Sequence, residues 1–314
     1  MPGQGAQYRA MGTGLYRDLP AFAAAIDEVF QLMGTEGDEL RSDWLADEPA
    51  LPMDDVRRSQ PLLFAIDYAL GSLLISMGLR PAVLLGHSIG ELAAAVVARV
   101  FDLGGAVRVL RHRVDQLAEA PSGGMVAVAA SRAELAPHLR PGVDIGAINA
   151  PRQTVIAGAD GPLRITCDAL GEAGFTWARV CSLTPFHSAV LQPTVDAARG
   201  LLATVPMRPP EIGLVSGYTS RRLTDAEAVD PLYWASHPVA PVLFWPALSA
   251  LLAEGPRLLV ECGPSQGLTT LARRHRDVRT GRSLVLSLIG SPETGPDAEA
   301  AHFTAAAARL GLAL

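Results

Sequence analysis

Apolar positions recur every three or four residues over Pro20–Met33 and again over Gln60–Met77. In the second stretch Leu62, Leu63, Ile66, Leu70, Leu73 and Leu74 share one face. That period predicts two helices, the first opened by Pro20. Residues 34–56 between them are rich in Asp and Glu without a period, and are expected to be irregular surface. A short apolar run of strand length follows at Ala82–Leu85, then an Ala-rich helical stretch, Glu91–Val100, and an Arg-rich one, Gly104–Ala118. From Gly123 the texture changes. Strands are expected at Met125–Ala130, Val143–Asn149, Thr154–Ala159 and Thr176–Cys181, with helices at Ser131–Leu139 and Gly161–Ala173. This βαββαβ order is that of a ferredoxin-like unit, so residues 124–183 are predicted to be a small subdomain inserted between 1–123 and 184–314. Beyond it helices at Ser188–Thr204, Pro246–Glu254, Gln266–Arg274 and Ala298–Leu310 alternate with strands at Ile212–Ser216, Arg257–Glu261 and Ser283–Leu288. The outer parts are therefore expected to form an α/β domain with a mostly parallel sheet covered on both faces.

Composition narrows the class. With 314 residues, 49% of them hydrophobic, the chain can bury a large core. A net charge of −6 and 5% aromatic residues argue against nucleic acid as partner. Cys167, Cys181 and Cys262 are odd in number and far apart. They fit a reducing cytoplasm and neither a disulfide framework nor a metal site. The opening Met-Pro-Gly-Gln-Gly lacks the basic start and apolar stretch of a signal peptide. The apolar segment Pro61–Leu79 carries Asp67 and is periodic, which predicts a core helix and no membrane span.

The chemistry gathers at Gly86-His87-Ser88-Ile89-Gly90, a G-x-S-x-G sequence set between strand and helix. This is the pattern of a nucleophile elbow. Small residues let the helix approach the strand and lift the serine hydroxyl clear of the backbone. The Ile89 N–H lies at the helix N-terminus, where an anion is favoured, and can form half of an oxyanion hole. The bland alternative is a serine that only caps the helix. A serine hydroxyl needs a base. His187 is the first candidate, because it stands where a strand is expected to end and a helix to begin; His87, beside the serine, is the second. No Asp or Glu stands out as an orienting acid. The irregular stretch around His237 offers backbone carbonyls in its place. On the helix 104–118, Arg113 is turned away from Arg108 and Arg111. It either grips a carboxylate in a cleft or sits on a solvated face.

Further blocks run through the chain: Pro2-Gly3-Gln4-Gly5-Ala6-Gln7, Gln60-Pro61-Leu62-Leu63-Phe64-Ala65, Gly124-Met125-Val126-Ala127-Val128, Asn149-Ala150-Pro151, Phe186-His187-Ser188, Tyr233-Trp234, Pro241-Val242-Leu243-Phe244 and Glu261-Cys262-Gly263-Pro264. With the serine motif, this set resembles the malonyl-CoA:acyl-carrier-protein transacylase family, which includes the acyltransferase domains of polyketide synthases. The resemblance implies an α/β-hydrolase-like domain with a ferredoxin-like insert, Ser88 as acylated nucleophile and His187 as its base. It further implies that Gln4 supplies the second oxyanion N–H beside Ile89, that Arg113 binds a carboxylate, and that the His237 backbone carbonyl orients His187. His87, Phe186 and Leu117 are expected among the substrate-binding residues. The implied reaction is ping-pong and needs no bound cofactor. An acyl group, malonyl first among the choices, passes from coenzyme A to Ser88 and then to the phosphopantetheine thiol of an acyl carrier protein.

The sequence also departs from that family. Thr184-Pro185-Phe186-His187 stands where His-Ala-Phe-His or Tyr-Ala-Ser-His is usual, and Val114 and Leu117 differ from the family's residues. Ile89 and the bulky Phe186 still resemble malonyl-selective members. The departures support a second reading, transfer of an aminoacyl or peptidyl group between carrier proteins. A serine hydrolase or thioesterase is the competitor from another class; the PGQG block and Arg113 argue against it. Arg273, Arg274 and Arg276 are candidates for docking an acidic carrier protein, against the alternative of an ordinary solvated loop. Family members carry a short apolar strand before PGQG, whereas Met1 directly precedes Pro2 here. The expectation is that the native chain starts upstream, and that the enzyme is a monomer, either discrete or an excised domain.

Overall fold

The structure is a computed structural model and describes residues 1–313. Its central element is the helix Val56–Ser76, which starts where the Asp55 side chain accepts from the Arg57 amide at 2.9 Å. The helix is buried nearly all round, Pro61 and Asp67 included. It packs against the helices Pro20–Met33, Ile89–Val97 and Leu103–Ala118. It is the one helix among the described residues long and apolar enough to cross a membrane, and it lies inside the fold.

The acidic stretch expected to be irregular is instead helical over Thr35–Leu45. Two residues anchor it. Leu40 and Trp44 stand one turn apart and are buried, and the Trp44 indole donates to the Met11 carbonyl at 3.0 Å. An apolar edge that narrow does not register as a period among so many carboxylates.

The strands are β1 (Leu84–Leu85), β2 (Gly123–Val128), β3 (Val143–Ala150), β4 (Gln153–Ala159), β5 (Trp177–Arg179), β6 (Leu214–Val215), β7 (Leu258–Glu261) and β8 (Leu284–Ser287). The four strands β2 to β5 form one antiparallel sheet in the order β3-β4-β2-β5, the ferredoxin-like arrangement. Val126, Val128, Ile156, Leu163, Cys167 and Leu170 form the core beneath it. The outer strands are parallel, as expected, yet they make two separate pairs, β1 with β6 and β7 with β8. Between the pairs runs an apolar groove lined by Leu74, Leu79, Val83, Leu85, Leu248 and Leu259. Met1 enters its end. The Met1 amine donates to the Leu85 carbonyl at 3.1 Å and the His87 amide to the Met1 carbonyl at 2.9 Å. These are the bonds of a parallel ladder one residue long.

A second connection bears on the site. The Ile148 amide donates to the Val242 carbonyl at 2.8 Å, and the Val242 amide to the Gly146 carbonyl at 2.9 Å. The edge strand β3 of the small sheet thereby holds the segment that follows His237.

Candidate active site

The elbow forms because β1 ends at Leu85 and the helix Ile89–Val97 begins directly after Ser88. Ser88 is forced to φ 55° and ψ −123°, a conformation that L-residues rarely adopt. Its neighbours permit this only as glycines. A Cβ on Gly86 would strike the backbone of Glu91, and one on Gly90 the carbonyl oxygens of Met1 and Pro2. Gly3 lies just as close to the His87 carbonyl and to Ser88. The N-terminal loop therefore rests on the elbow and carries Gln4 to it. The Gln4 side chain is fixed on both sides: it donates to the Cys181 carbonyl at 3.0 Å and accepts from Gln60 at 2.9 Å. Among the described residues, the backbone amides of Gln4 and Ile89 donate to no acceptor.

His187 reaches Ser88 from the start of the C-terminal part. Its Nε2 is 2.8 Å from Ser88 Oγ, and both residues are buried. The His187 backbone stands at φ 62°, and its amide donates to the Pro238 carbonyl at 2.6 Å. On the far side of the ring, Nδ1 lies 2.8 Å from the Ala240 carbonyl. A carbonyl can only accept, so Nδ1 carries the proton and Nε2 turns its lone pair to the serine. Burial first, and the nearby His87 second, hold the His187 pKa down at about 3, so the ring is neutral. The residue that orients the base is a correction to the sequence expectation. The carbonyl at 2.8 Å belongs to Ala240, while that of His237 makes a smaller contribution. The turn after Ser236, where the Val239 and Ala240 amides both bond back to the Ser236 carbonyl, moves the accepting group three residues along.

Behind the elbow, Glu91 is buried. It accepts from the Gly217 amide at 2.7 Å and from the Tyr233 hydroxyl, which in turn lies 2.7 Å from Ser216 Oγ. Burial raises the Glu91 pKa to about 7 against these hydrogen bonds.

Ser88, His187, Arg113 and Phe186 line one small pocket, together with Gln60, Tyr218, His237 and Pro238. Arg113 is 9% exposed, and its guanidinium donates to the Trp234 carbonyl at 3.1 Å. It has no carboxylate partner among the described residues, and burial lowers its pKa. Arg108 and Arg111 face outward, the latter paired with Glu36 at 2.8 Å. Two residues expected to bind substrate do not line this pocket. Leu117 belongs to the buried cluster that contains Phe186 and does not line the pocket, because its side chain is spent on that packing. His87 points away from Ser88, with Nε2 2.9 Å from Asn149 Oδ1, and lines a wider cleft with Gln4, Val180, Leu271 and Arg274. Arg273, Arg274 and Arg276 are exposed; of the three, Arg274 lines that cleft and donates to Gln153 at 2.6 Å. Sequence reasoning missed Gln60 and Tyr218. The signal for Tyr218 is its place just past the end of a predicted strand, where parallel-sheet sites gather.

An α/β fold with a nucleophile elbow belongs to the class of enzymes that handle acyl groups. Comparison with known proteins names the family: the acyl transferase domain matches residues 1–310, and the chain belongs to that family as an acyltransferase. It is 36% identical over 275 residues to a phenolphthiocerol/phthiocerol polyketide synthase polypeptide of Mycobacterium tuberculosis (strain CDC 1551 / Oshkosh), covering 87% of this chain and 18% of that protein. The chain thus spans less than a fifth of that relative's length. Among solved structures, the acyltransferase domain from the second module of the salinomycin polyketide synthase superposes with a TM-score of 0.89 at 34% identity, covering 99% of this chain and 72% of that one. FabD from Acinetobacter baumannii shares the fold, with a TM-score of 0.82 at 22% identity over 97% of both chains.

Proposed function

We propose that this acyltransferase moves a carboxylated acyl group, malonyl first among them, from coenzyme A to the phosphopantetheine thiol of an acyl carrier protein through an acyl-Ser88 intermediate. His187 Nε2 takes the hydroxyl proton as Ser88 Oγ attacks the thioester carbonyl. The amides of Ile89 and Gln4, free of other acceptors, receive the oxyanion. As the carbon–sulfur bond breaks, the proton passes from His187 to the departing thiol. The carrier thiol then attacks the acyl-serine, and His187 first removes and then returns a proton in the reverse sense. The Ala240 carbonyl holds the imidazole in the tautomer this needs and stabilises the imidazolium.

The observation that carries the substrate class is Arg113, a buried guanidinium with no acid partner, in the same pocket as Ser88 and His187. A buried cation persists where a ligand anion completes it. Phe186, buried at the pocket wall, favours a small acyl chain over one branched at its second carbon. The cleft from His87 to Arg274 is the proposed path of the pantetheine arm, and the exposed Arg273, Arg274 and Arg276 are the proposed contacts for the acidic carrier. The test is incubation with a panel of acyl-CoAs and then carrier protein, with adducts weighed by intact mass. Malonyl-CoA is expected to label the wild type and not Ser88→Ala, and the label is expected to leave on addition of carrier protein. Loss of the label to water at the same rate without carrier would assign a hydrolase instead.

A further inference from the structure

Two polar side chains in the Ser88 pocket have no part in the reaction as written. His237 is 2% exposed, and neither Nδ1 nor Nε2 has a hydrogen-bond partner among the described residues. Its ring lies on that of Tyr218, centroids 4.0 Å and planes 23° apart, with the rings of Tyr233 and Trp234 each 5.0 Å away. The Tyr218 hydroxyl is also buried with no hydrogen bond of good geometry, although Ser88 lies close enough to act on it. Both side chains line the pocket that holds Arg113. Buried polar atoms are almost always paired, and a cluster of unpaired ones beside a reactive serine points to a ligand group that pairs them.

The donor inventory indicates which group. Burial, with Arg113 and His187 adding to it, holds His237 well below its usual range, so the ring is neutral and carries one N–H. Burial and Glu91 keep the Tyr218 phenol protonated, so it can donate. The part of the Arg113 fork not given to Trp234 supplies further N–H groups. The pocket therefore presents donors from three side chains. A carboxylate offers about four lone-pair positions on two oxygens, more than one guanidinium fork fills.

We infer that His237 and Tyr218 complete the carboxylate site, so that the free carboxylate of the acyl group is held by the Arg113 guanidinium, the His237 imidazole and the Tyr218 hydroxyl together. The inference rests on the proposed role of Arg113 and extends it to what rejects neutral acyl groups. An acetyl or propionyl chain leaves His237, Tyr218 and the part of the Arg113 fork not given to Trp234 without acceptors in a buried pocket; a malonyl carboxylate supplies them. The ring stack holds His237 and Tyr218 in one geometry before the substrate arrives, so little order is lost on binding.

The test compares timed acylation of Ser88 by malonyl-CoA and acetyl-CoA, read by intact mass, in His237→Phe and Tyr218→Phe. Tyr218→Phe deletes only the hydroxyl, and His237→Phe keeps an aromatic ring in the stack while removing both ring nitrogens. The ratio of malonyl to acetyl adduct is expected to fall about 10- to 100-fold in His237→Phe, roughly 1.4 to 2.8 kcal/mol of discrimination, and about 10-fold in Tyr218→Phe, the change appearing in KM for malonyl-CoA. Thermal melts monitor folding, and Tyr218→Phe, the smaller change, carries the test if His237→Phe does not fold. An unchanged ratio would overturn the inference and assign the unpaired atoms to internal water. Equal loss with both acyl groups would also overturn it, leaving a structural role. Arg113→Ala in parallel separates the two readings: if it loses malonylation while both ring variants keep it, only the extended site fails. If Arg113→Ala keeps malonylation, the carboxylate reading itself fails.

Discussion

Replacing Arg113 by Met separates what the empty protein needs from what the substrate needs. Arg113 is 9% exposed, and its guanidinium has one hydrogen bond, to the Trp234 carbonyl at 3.1 Å, and no acid beside it among the described residues. A hydrogen bond from a charged donor contributes about 1.5–3 kcal/mol. Taking the charge out of water costs several kcal/mol. The two nearly offset, so Arg113→Met, which fills the same space with an apolar stem, is expected to melt within about 1 kcal/mol of the wild type, or above it. The bound carboxylate changes the balance. Removing one member of a buried charge pair costs about 2–5 kcal/mol, on the order of 30- to several-thousand-fold in malonyl transfer. Acetyl transfer has no such pair to lose and is expected to hold or rise. The assay is a thermal melt together with intact mass after timed exposure to malonyl-CoA and acetyl-CoA. A melt several degrees lower, with both acyl groups lost in parallel, would refute the reasoning. Arg113 would then be a strut for the short helix Pro231–Ala235 that carries Trp234.

Further expectations follow from the buried groups and the groove. Glu91, raised from 4.5 to about 7, binds its proton more tightly folded than unfolded. Its contribution is full below the unfolded pKa and is lost as pH rises through 7, on the order of 3 kcal/mol; Glu91→Gln is expected to flatten the melting temperature over that interval. An unaltered profile would show that Glu91 is not the group titrating. Because His187 is held at about 3, its Nε2 stays free, and the pH profile of Ser88 acylation is expected to show no His187 inflection near 6.5. A step there would mean a solvated ring. Adding four apolar residues before Met1 is expected to raise the melting temperature by laying a strand between β1 and β7. A Ser/Asn extension of the same length is the control, and an equal effect from both would remove the groove from the explanation.

The sequence was legible where one signal sufficed. Leu62 to Leu74 mark the central helix because six apolar residues repeat on one face, and the elbow stands out because its whole G-x-S-x-G pattern falls within five consecutive residues between a strand-length run and a helical stretch. The helix Thr35–Leu45 was not legible, since among its side chains only Leu40 and Trp44 are buried apolar groups, with Gly37 packed against the Phe30 backbone. Nor was the division of the outer strands into two pairs, because an apolar run shows that a strand is buried and says nothing of what lies along its edge. In the pocket, Ser88 and His187 could be singled out by motif and position, and Arg113 by the family resemblance after helix phase had left it open. Gln60, Tyr218 and the ring of His237 could not. Each lies on a different element, and they meet only when the central helix, the loop after β6 and the turn at Pro238 close on one another. The shift from His237 to Ala240 as the accepting carbonyl is the same limitation on a smaller scale, since a turn's hydrogen bonds decide which carbonyl points inward.

Both members of the Ser88–His187 pair sit at positive φ, 55° and 62°. Backbone of that kind costs on the order of 1–3 kcal/mol per residue and persists only where its surroundings over-determine it. For Ser88 the determinants pack directly on the elbow: the glycine contacts with Glu91 of the adjoining helix and with Met1 and Pro2 of the N-terminal loop. For His187 they are remote. Its amide and its Nδ1 both end on the segment Pro238–Ala240, at 2.6 Å and 2.8 Å, and that segment is held two residues further on by the exchange of bonds between Val242 and β3. The small antiparallel sheet is therefore part of the apparatus that fixes the base. Its edge strand holds the segment, the segment holds the imidazole, and the imidazole reaches the serine, with hydrogen bonds of 2.6–2.9 Å at each step. A ferredoxin-like unit far from the elbow in sequence is in this way coupled to the hydroxyl that the elbow presents.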